Sequence, residues 1–211
     1  MAYRRTPAVQ ARLDAQREAV LLAAVDLLSE RGYGGCSMAA VAHRAGIATG
    51  SMYQHFAGKA ELSVELFRVT VGRELAAVTE ALARESTPHR RIAAIVETFA
   101  ARALKAPRLA YALLAEPADA IVDAERLIFR RAFRDLFAAQ ISEALADGLL
   151  PEQDPAMTAA ALVGAVGEAL VGPLCAGGSH PDDVIPALVS FAMRALGDRD
   201  PAPAPTNRGE G

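Results

Sequence analysis

Residues 38–56 read MAAVAHRAGIATGSMYQHF, and this stretch decides how the rest of the chain is interpreted. Small and apolar side chains recur at helical spacing on both sides of Gly46, namely Val41, Ala42, Ala45, Ile47, Met52 and Phe56. A helix-turn-helix consists of two short helices joined by a tight turn that often contains glycine. The spacing therefore predicts helices over about 38–45 and 49–55, packed against the helix that precedes them.

That preceding helix is predicted around Gln16–Arg31, where apolar residues again recur at helical spacing. Gly32 follows it, as expected for a left-handed C-terminal cap. Ser37 stands where its hydroxyl can cap the second helix. A fourth helix is expected from Lys59 to about Arg84.

Helical periodicity continues beyond residue 84, and no stretch is typical of a strand. We predict that Thr87 caps a helix whose first residue is Pro88, and that Ser179 caps the last helix. The further helices are predicted at 92–104, 107–115, 119–146, 156–174 and 181–196. We therefore predict an all-α fold: a head of residues 1–62, of which 1–11 form a flexible arm, a larger helical body of residues 63–197, and a disordered tail of residues 198–211.

Charge is divided unevenly along the chain. The net charge is −3, but residues 1–62 carry about +2 and the remainder about −5. A mildly basic head on an acidic body suits a protein that docks on phosphates with one end only. Cys36 and Cys175 lie far apart without metal-ligand spacing, so we expect no disulfide, no metal and no cofactor.

The longest apolar stretch, 157–174, carries Glu168 near its middle, which favours a buried helix over a membrane span. The N-terminus lacks the apolar core of a signal peptide, so a cytoplasmic protein is expected.

The polar residues of the 38–59 segment have the chemistry of a reader of double-stranded DNA. Hydroxyl groups suit phosphates and base edges, and an amide suits adenine; the residues are Thr49, Ser51, Tyr53, Gln54 and His55. Lys59 opens the fourth helix, where the backbone N–H groups and the ammonium can converge on one phosphate. Further phosphate or minor-groove contacts are expected from Arg44 and from Arg4, Arg5 and Arg12.

Residues 12–62 resemble the signature of the tetracycline-repressor (TetR) family of transcriptional regulators. The matching residues include Arg17, Ala24, Leu28, Gly32, Tyr33, Ser37, Val41, Ala42, Ala45, Gly46, Ile47, Gly50 to Phe56, Lys59 and Leu62. The resemblance implies that phosphates are contacted by Ser37, Tyr53, His55 and Lys59, and bases by Thr49, Gly50, Ser51 and Gln54. The chain departs from the pattern at Ala48, where the family often has a serine cap, and at Thr49, where Lys or Pro is frequent.

For the body, the resemblance implies a homodimer in which each subunit binds a small-molecule effector that changes the spacing of the heads. Relief of repression is the expected response, with activation as the alternative. The residues expected near the effector are Phe99, Arg102, Tyr111, Phe129, Phe133 and Met157. Dimerisation is expected through Thr158–Leu174 and Ala187–Leu196, which suit a four-helix interface. Two-fold symmetry would then set two heads on half-sites about one turn (~34–36 Å) apart or further.

Two other classes of protein are the alternatives. An enzyme is not predicted, because the chain shows no Ser/His/Asp set, no histidines at metal spacing and no nucleophile elbow. A helical adaptor or oligomerisation module leaves the polar segment from Tyr53 to Lys59 unexplained. A redox switch at Cys36 is a further alternative.

Overall fold

The computed structural model describes residues 6–176 and 181–197, and every regular element within these ranges is a helix. The all-α prediction is therefore confirmed. The helices are α1 (Pro7–Arg31), α2 (Met38–Arg44), α3 (Thr49–Met52), α4 (Lys59–Ala83), α5 (Pro88–Lys105), α6 (Pro107–Leu114), α7 (Ala120–Ala146), α8 (Pro155–Ala176) and α9 (Pro181–Ala195), with a single 3-10 turn at Tyr33–Gly35 between α1 and α2.

Two of the predicted helix caps are present. The Ser37 hydroxyl accepts a hydrogen bond from the Ala40 backbone N–H at 3.1 Å and so starts α2. The Thr87 hydroxyl accepts one from the Arg90 N–H at 3.4 Å and starts α5. Each hydroxyl satisfies one of the N–H groups that the first turn of a helix leaves unpaired.

The prediction of a flexible arm over residues 1–11 is wrong for residues 7–11. Residues 7–11 are the first turns of α1, with Pro7 at the first helical position, where its fixed φ and missing N–H cost nothing. Arg4 and Arg5 lie outside the described residues, as do Ser179 and the predicted tail, 198–211.

The buried apolar residues form two cores that share α4. The head core is built on α1 to α3, with Leu28, Met52 and Phe56 almost fully buried. The body core is built mainly on α5, α7, α8 and α9. Phe67, on α4, belongs to the head core, whereas Val78, three turns later, belongs to the body core. The boundary predicted between residues 62 and 63 thus falls inside a continuous helix, α4.

Helix α8 buries only one of its faces. Its core-facing stripe consists of Ala159, Leu162, Val166, Leu170 and Leu174. By length and composition alone, Pro155–Cys175 could cross a membrane, and 28% of its apolar window is buried. The expectation of a buried helix is therefore wrong for the opposite face, because neighbouring helices pack against α8 from one side only.

We expect truncation in the body core to cost far more stability than truncation on the surface of the same helix. Ile141 and Leu127 both lie on α7, with 0% and 65% of their surface exposed. Ile141→Ala removes buried methyl groups and leaves a cavity, which should lower the free energy of unfolding by about 2–5 kcal/mol. Leu127→Ala should change it by less than about 0.5 kcal/mol. Urea unfolding followed by circular dichroism measures both values, and equal losses would contradict the assigned core.

Candidate nucleic-acid interface and ligand cavity

Apolar side chains of the helix-turn-helix unit attach it to the head core. Val41 on α2 and Met52 on α3 are completely buried against the head core. Gly46 makes the turn between the two helices with φ +69°, a left-handed conformation that side chains disfavour. The backbone of this unit is therefore fixed by packing and by the turn.

Helix α3 is shorter than predicted, since it ends at Met52 rather than near His55. Ala48 occupies the cap position in an extended conformation and offers no side-chain acceptor to the first turn. The polar residues 53–55 consequently lie in the turn that follows α3.

Most of the predicted DNA-contacting residues are exposed. Tyr53 is 58% exposed, and Ser51 and His55 are half-buried. Lys59, also exposed, is the first residue of α4. The remaining exposed members of the set are Ser37, Arg44, Thr49, Gly50 and Gln54. All nine residues lie in the segment 37–59, called here the surface unit, and all but Ser51 and His55 are exposed.

Contacts from α1 brace this surface unit. The Arg17 guanidinium lies 5.0 Å from the centre of the Phe56 ring and pairs with Glu65 of α4 at 2.9 Å. The His55 Nε2 atom is 3.2 Å from the Gln16 side-chain oxygen. A cation over an aromatic face stabilises the pair electrostatically. The turn that carries residues 53–55 is therefore tied to the first helix.

Arg44 is already engaged within the head. Its guanidinium donates two hydrogen bonds to the Glu30 carboxylate, at 2.9 and 2.7 Å. These bonds raise the pKa of Arg44 and lower the pKa of Glu30. Any phosphate contact by Arg44 must compete with this pair, so its predicted role stays a prediction.

A cavity of about 540 Å³ lies between the head core and the body core. Its wall is predominantly apolar, and Phe67 and Val71 extend it to the head core. Two edge-to-face aromatic pairs shape it: Phe67 with Phe129 at 5.4 Å and Phe99 with Phe133 at 5.3 Å between ring centres. Both its volume and its lining are typical of a small-molecule site.

The cavity wall also contains charged side chains, which are Glu74, Arg102, Arg126, Arg130 and Glu168. Arg102 donates two hydrogen bonds to the Glu74 carboxylate, one of them at 2.8 Å, and these raise the pKa of Arg102. Arg130 and Glu168 are exposed, so they lie where the cavity reaches solvent. The cavity therefore combines an apolar interior with charge, a pattern suited to an amphipathic ligand.

Four of the six residues predicted near an effector line this cavity: Phe99, Arg102, Phe129 and Phe133. Tyr111 and Met157 do not. Tyr111 packs on the body core, and Met157 is 69% exposed on α8.

Sequence reasoning missed several lining residues. Arg126 and Phe137 lie on the same face of α7 as Phe129 and Phe133, so helical spacing could have found them. The pairing of Glu74 with Arg102, 28 residues apart and on different helices, gives no such signal.

The environment of Cys36 opposes a redox role. The side chain is 1% exposed, and its sulfur lies 3.4 Å from the Gly32 carbonyl oxygen. Burial raises the pKa of the Cys36 thiol to about 11. Because the thiolate is the reactive form, oxidation is disfavoured there.

Known proteins match part of this chain in sequence and most of it in fold. Residues 20–66 match the sequence profile of the family described as "Bacterial regulatory proteins, tetR family". The HTH-type transcriptional activator FasR of Mycolicibacterium smegmatis is 34% identical over 86 residues, which are 41% of this chain. The aligned part spans 39% of that relative's length.

Solved structures match at lower identity over most of the chain. The fatty acid degradation regulator FadR from Bacillus halodurans is 16% identical, with a TM-score of 0.74, covering 92% of this chain and 97% of that one. FadR from Bacillus subtilis, solved in complex with stearoyl-CoA, is 17% identical with a TM-score of 0.74, covering 87% and 99%. At these identities the match establishes a shared fold.

We expect the two cysteines to differ sharply in reactivity. Cys36 is buried with a raised pKa, whereas Cys175 is exposed. Near neutral pH a maleimide should therefore leave Cys36 unlabelled in the folded protein and label both thiols after unfolding. Mass spectrometry of tryptic peptides distinguishes the two sites. Rapid labelling of Cys36 in the folded chain would contradict its burial.

Proposed function

Because residues 20–66 carry the N-terminal domain of the tetR family of bacterial regulatory proteins, we propose that this chain is a ligand-responsive transcriptional regulator of the cytoplasm. It binds a palindromic operator as a dimer and releases it when a small molecule enters the body. The observation that carries the proposal is the exposed polar set on a rigid helix-turn-helix, adjoining an apolar cavity that reaches the same core.

The proposed DNA contacts follow from the side chains that the surface unit exposes. Tyr53 and Lys59 bind phosphates, together with Ser37, whose O–H remains able to donate while its oxygen caps α2. Thr49, Gly50, Ser51 and Gln54 approach base edges in the major groove. Phosphate contacts set the position of the head on the duplex, and base contacts set its preferred sequence.

The proposed dimer uses the outer faces of α8 and α9. The outer face of α8 presents small residues that allow close helix approach, including Ala161, Ala169 and Gly172, and α9 adds Phe191, which is 41% exposed. Burial of such a face against a second copy would remove its apolar surface from water. Two-fold symmetry then presents two heads to the two halves of a palindrome.

The proposed effector is a long-chain acyl thioester of coenzyme A. The apolar interior of the cavity accepts the acyl chain, and the exposed Arg130 faces the negatively charged part near the opening. The fold shared with a FadR that was solved with stearoyl-CoA supports this class of ligand. Repression relieved by the ligand is the proposed response, which requires that the ligand bind the DNA-free state more tightly than the DNA-bound state.

We expect loss of a phosphate contact to weaken DNA binding and its salt dependence together. Lys59→Ala should reduce the slope of log K against log salt by about 1. Tyr53→Phe removes one hydroxyl and should weaken binding by roughly fivefold, the equivalent of about 1 kcal/mol. Fluorescence anisotropy on a duplex selected from a random pool measures both effects.

Lys105→Ala is the matched control, because Lys105 is also exposed but lies at the end of α5 in the body. It should leave affinity and slope unchanged. A selection that recovers no preferred duplex, or equal slopes for Lys59→Ala and the wild type, would contradict the regulator proposal.

We expect binding of stearoyl-CoA to depend on one arginine of an adjacent pair. Arg130 lines the cavity, whereas Arg131 is equally exposed but does not. Arg130→Ala removes a charge-assisted hydrogen bond and should raise the dissociation constant about tenfold or more, while Arg131→Ala should leave it within about twofold. Isothermal titration calorimetry measures the constants, and equal effects of both variants would refute the proposed position of the charged group.

A further inference from the structure

The part of α8 that lines the cavity runs from solvent to the body core. Glu168 and Gly164 are exposed, Gly167 is half-buried, and Val166 is 4% exposed. Because successive residues are about 100° apart around a helix axis, these four positions follow one another around α8 in that order. A molecule that enters the cavity beside α8 therefore passes the two glycines before it reaches the apolar interior.

The α7 wall of the cavity has the same gradient. Arg130 is exposed, Phe133 is half-buried, and Phe137 is 3% exposed, and all three line the cavity from one face of the helix. Helices α7 and α8 pack against each other. Both walls thus lead from charged side chains at the opening to apolar side chains inside.

Gly167 interrupts a row of larger side chains on α8. Val163 and Val171, four residues before and after it on the same face, are half-buried and also line the cavity. A Cβ atom built at Gly167 would meet no atom of a neighbouring side chain or helix within 4 Å. Glycine is less favourable than alanine inside a helix, and close packing of another helix, which could compensate for it, is absent at this position of the described chain. The missing side chain leaves open cavity space instead.

We propose that Gly167 keeps open a neck between α7 and α8, in which the thioester end of a bound acyl-CoA lies. The inference rests on the proposed function and names a residue that determines which ligands fit. The charged part of the ligand stays outside the neck at Arg130, and the acyl chain extends inward beyond Phe133. Since every acyl-CoA has the same thioester junction, the neck selects on the width of the ligand at that point and not on chain length.

The neck is tested by the affinity for lauroyl-, palmitoyl- and stearoyl-CoA, measured by isothermal titration calorimetry. Gly167→Leu should raise each of the three dissociation constants about tenfold or more, because the larger side chain occupies the space that the ligand needs. The three ratios to the wild type should agree within about twofold. Gly167→Ala adds only a methyl group and should have a smaller effect, about threefold for each ligand.

Gly72→Leu and Gly72→Ala are the matched controls. Gly72 lies inside α4, is half-buried, and has the same open space around a built Cβ atom, but it does not line the cavity. Both variants should leave the dissociation constants within about twofold of the wild type. The alanine variants at both positions should raise the melting temperature by about 2–4 °C, because alanine favours the helix. Lost affinity at position 167 is then separated from lost stability.

The possible outcomes separate the neck from the proposed function. A folded Gly167→Leu variant that binds all three ligands like the wild type overturns the neck and leaves the proposed effector standing. A loss that grows with chain length also overturns it, because position 167 would then lie at the closed end of the cavity. If Gly167→Leu does not fold, equal affinities of Gly167→Ala and Gly72→Ala overturn the neck. A wild type that binds none of the three ligands overturns the proposed effector and the neck with it.

Discussion

The rest of the structure depends on the continuity of α4 through two hydrophobic cores. Phe67 belongs to the head core and Val78 to the body core, and both lie on one unbroken helix. The cavity opens between these cores, so its wall is composed of residues from each. A molecule that fills this space contacts residues of both cores. Ligand binding and the position of the head therefore depend on the packing of the same residues.

The head is restrained by several local contacts in the segment that carries the proposed DNA contacts. The Ser37 cap, the left-handed Gly46 turn and the stacking of Arg17 on Phe56 each restrict the segment 37–59 independently. These contacts hold the surface unit in one arrangement against the head core.

Local rules predicted most of the helices but fewer of the long-range contacts. Spacing of apolar residues placed nearly every helix within a few residues, and Ser37 and Thr87 were found as caps because capping is chemistry between neighbours. Helix α3 was predicted too long at its C-terminal end, because no glycine or proline marks the turn at residues 53–55. Phe129 and Phe133 could be predicted to share a face, whereas the pairing of Arg44 with Glu30 and the contact of Glu116 with Tyr33 depend on how helices cross in space. The sequence contains those residues without indicating which of them meet.

The half-covered α8 has a consequence for the life of the protein in a cell. An apolar helix that buries only 28% of its window leaves a face that chaperones and proteases recognise when it is uncovered. Under the proposed dimer, a second copy covers that face, so the folded state is favoured by its own concentration. At high concentration most chains are then dimeric and protected from degradation. At low concentration a larger fraction is monomeric and exposed to it. The abundance of the regulator would thus respond more steeply than linearly to its rate of synthesis.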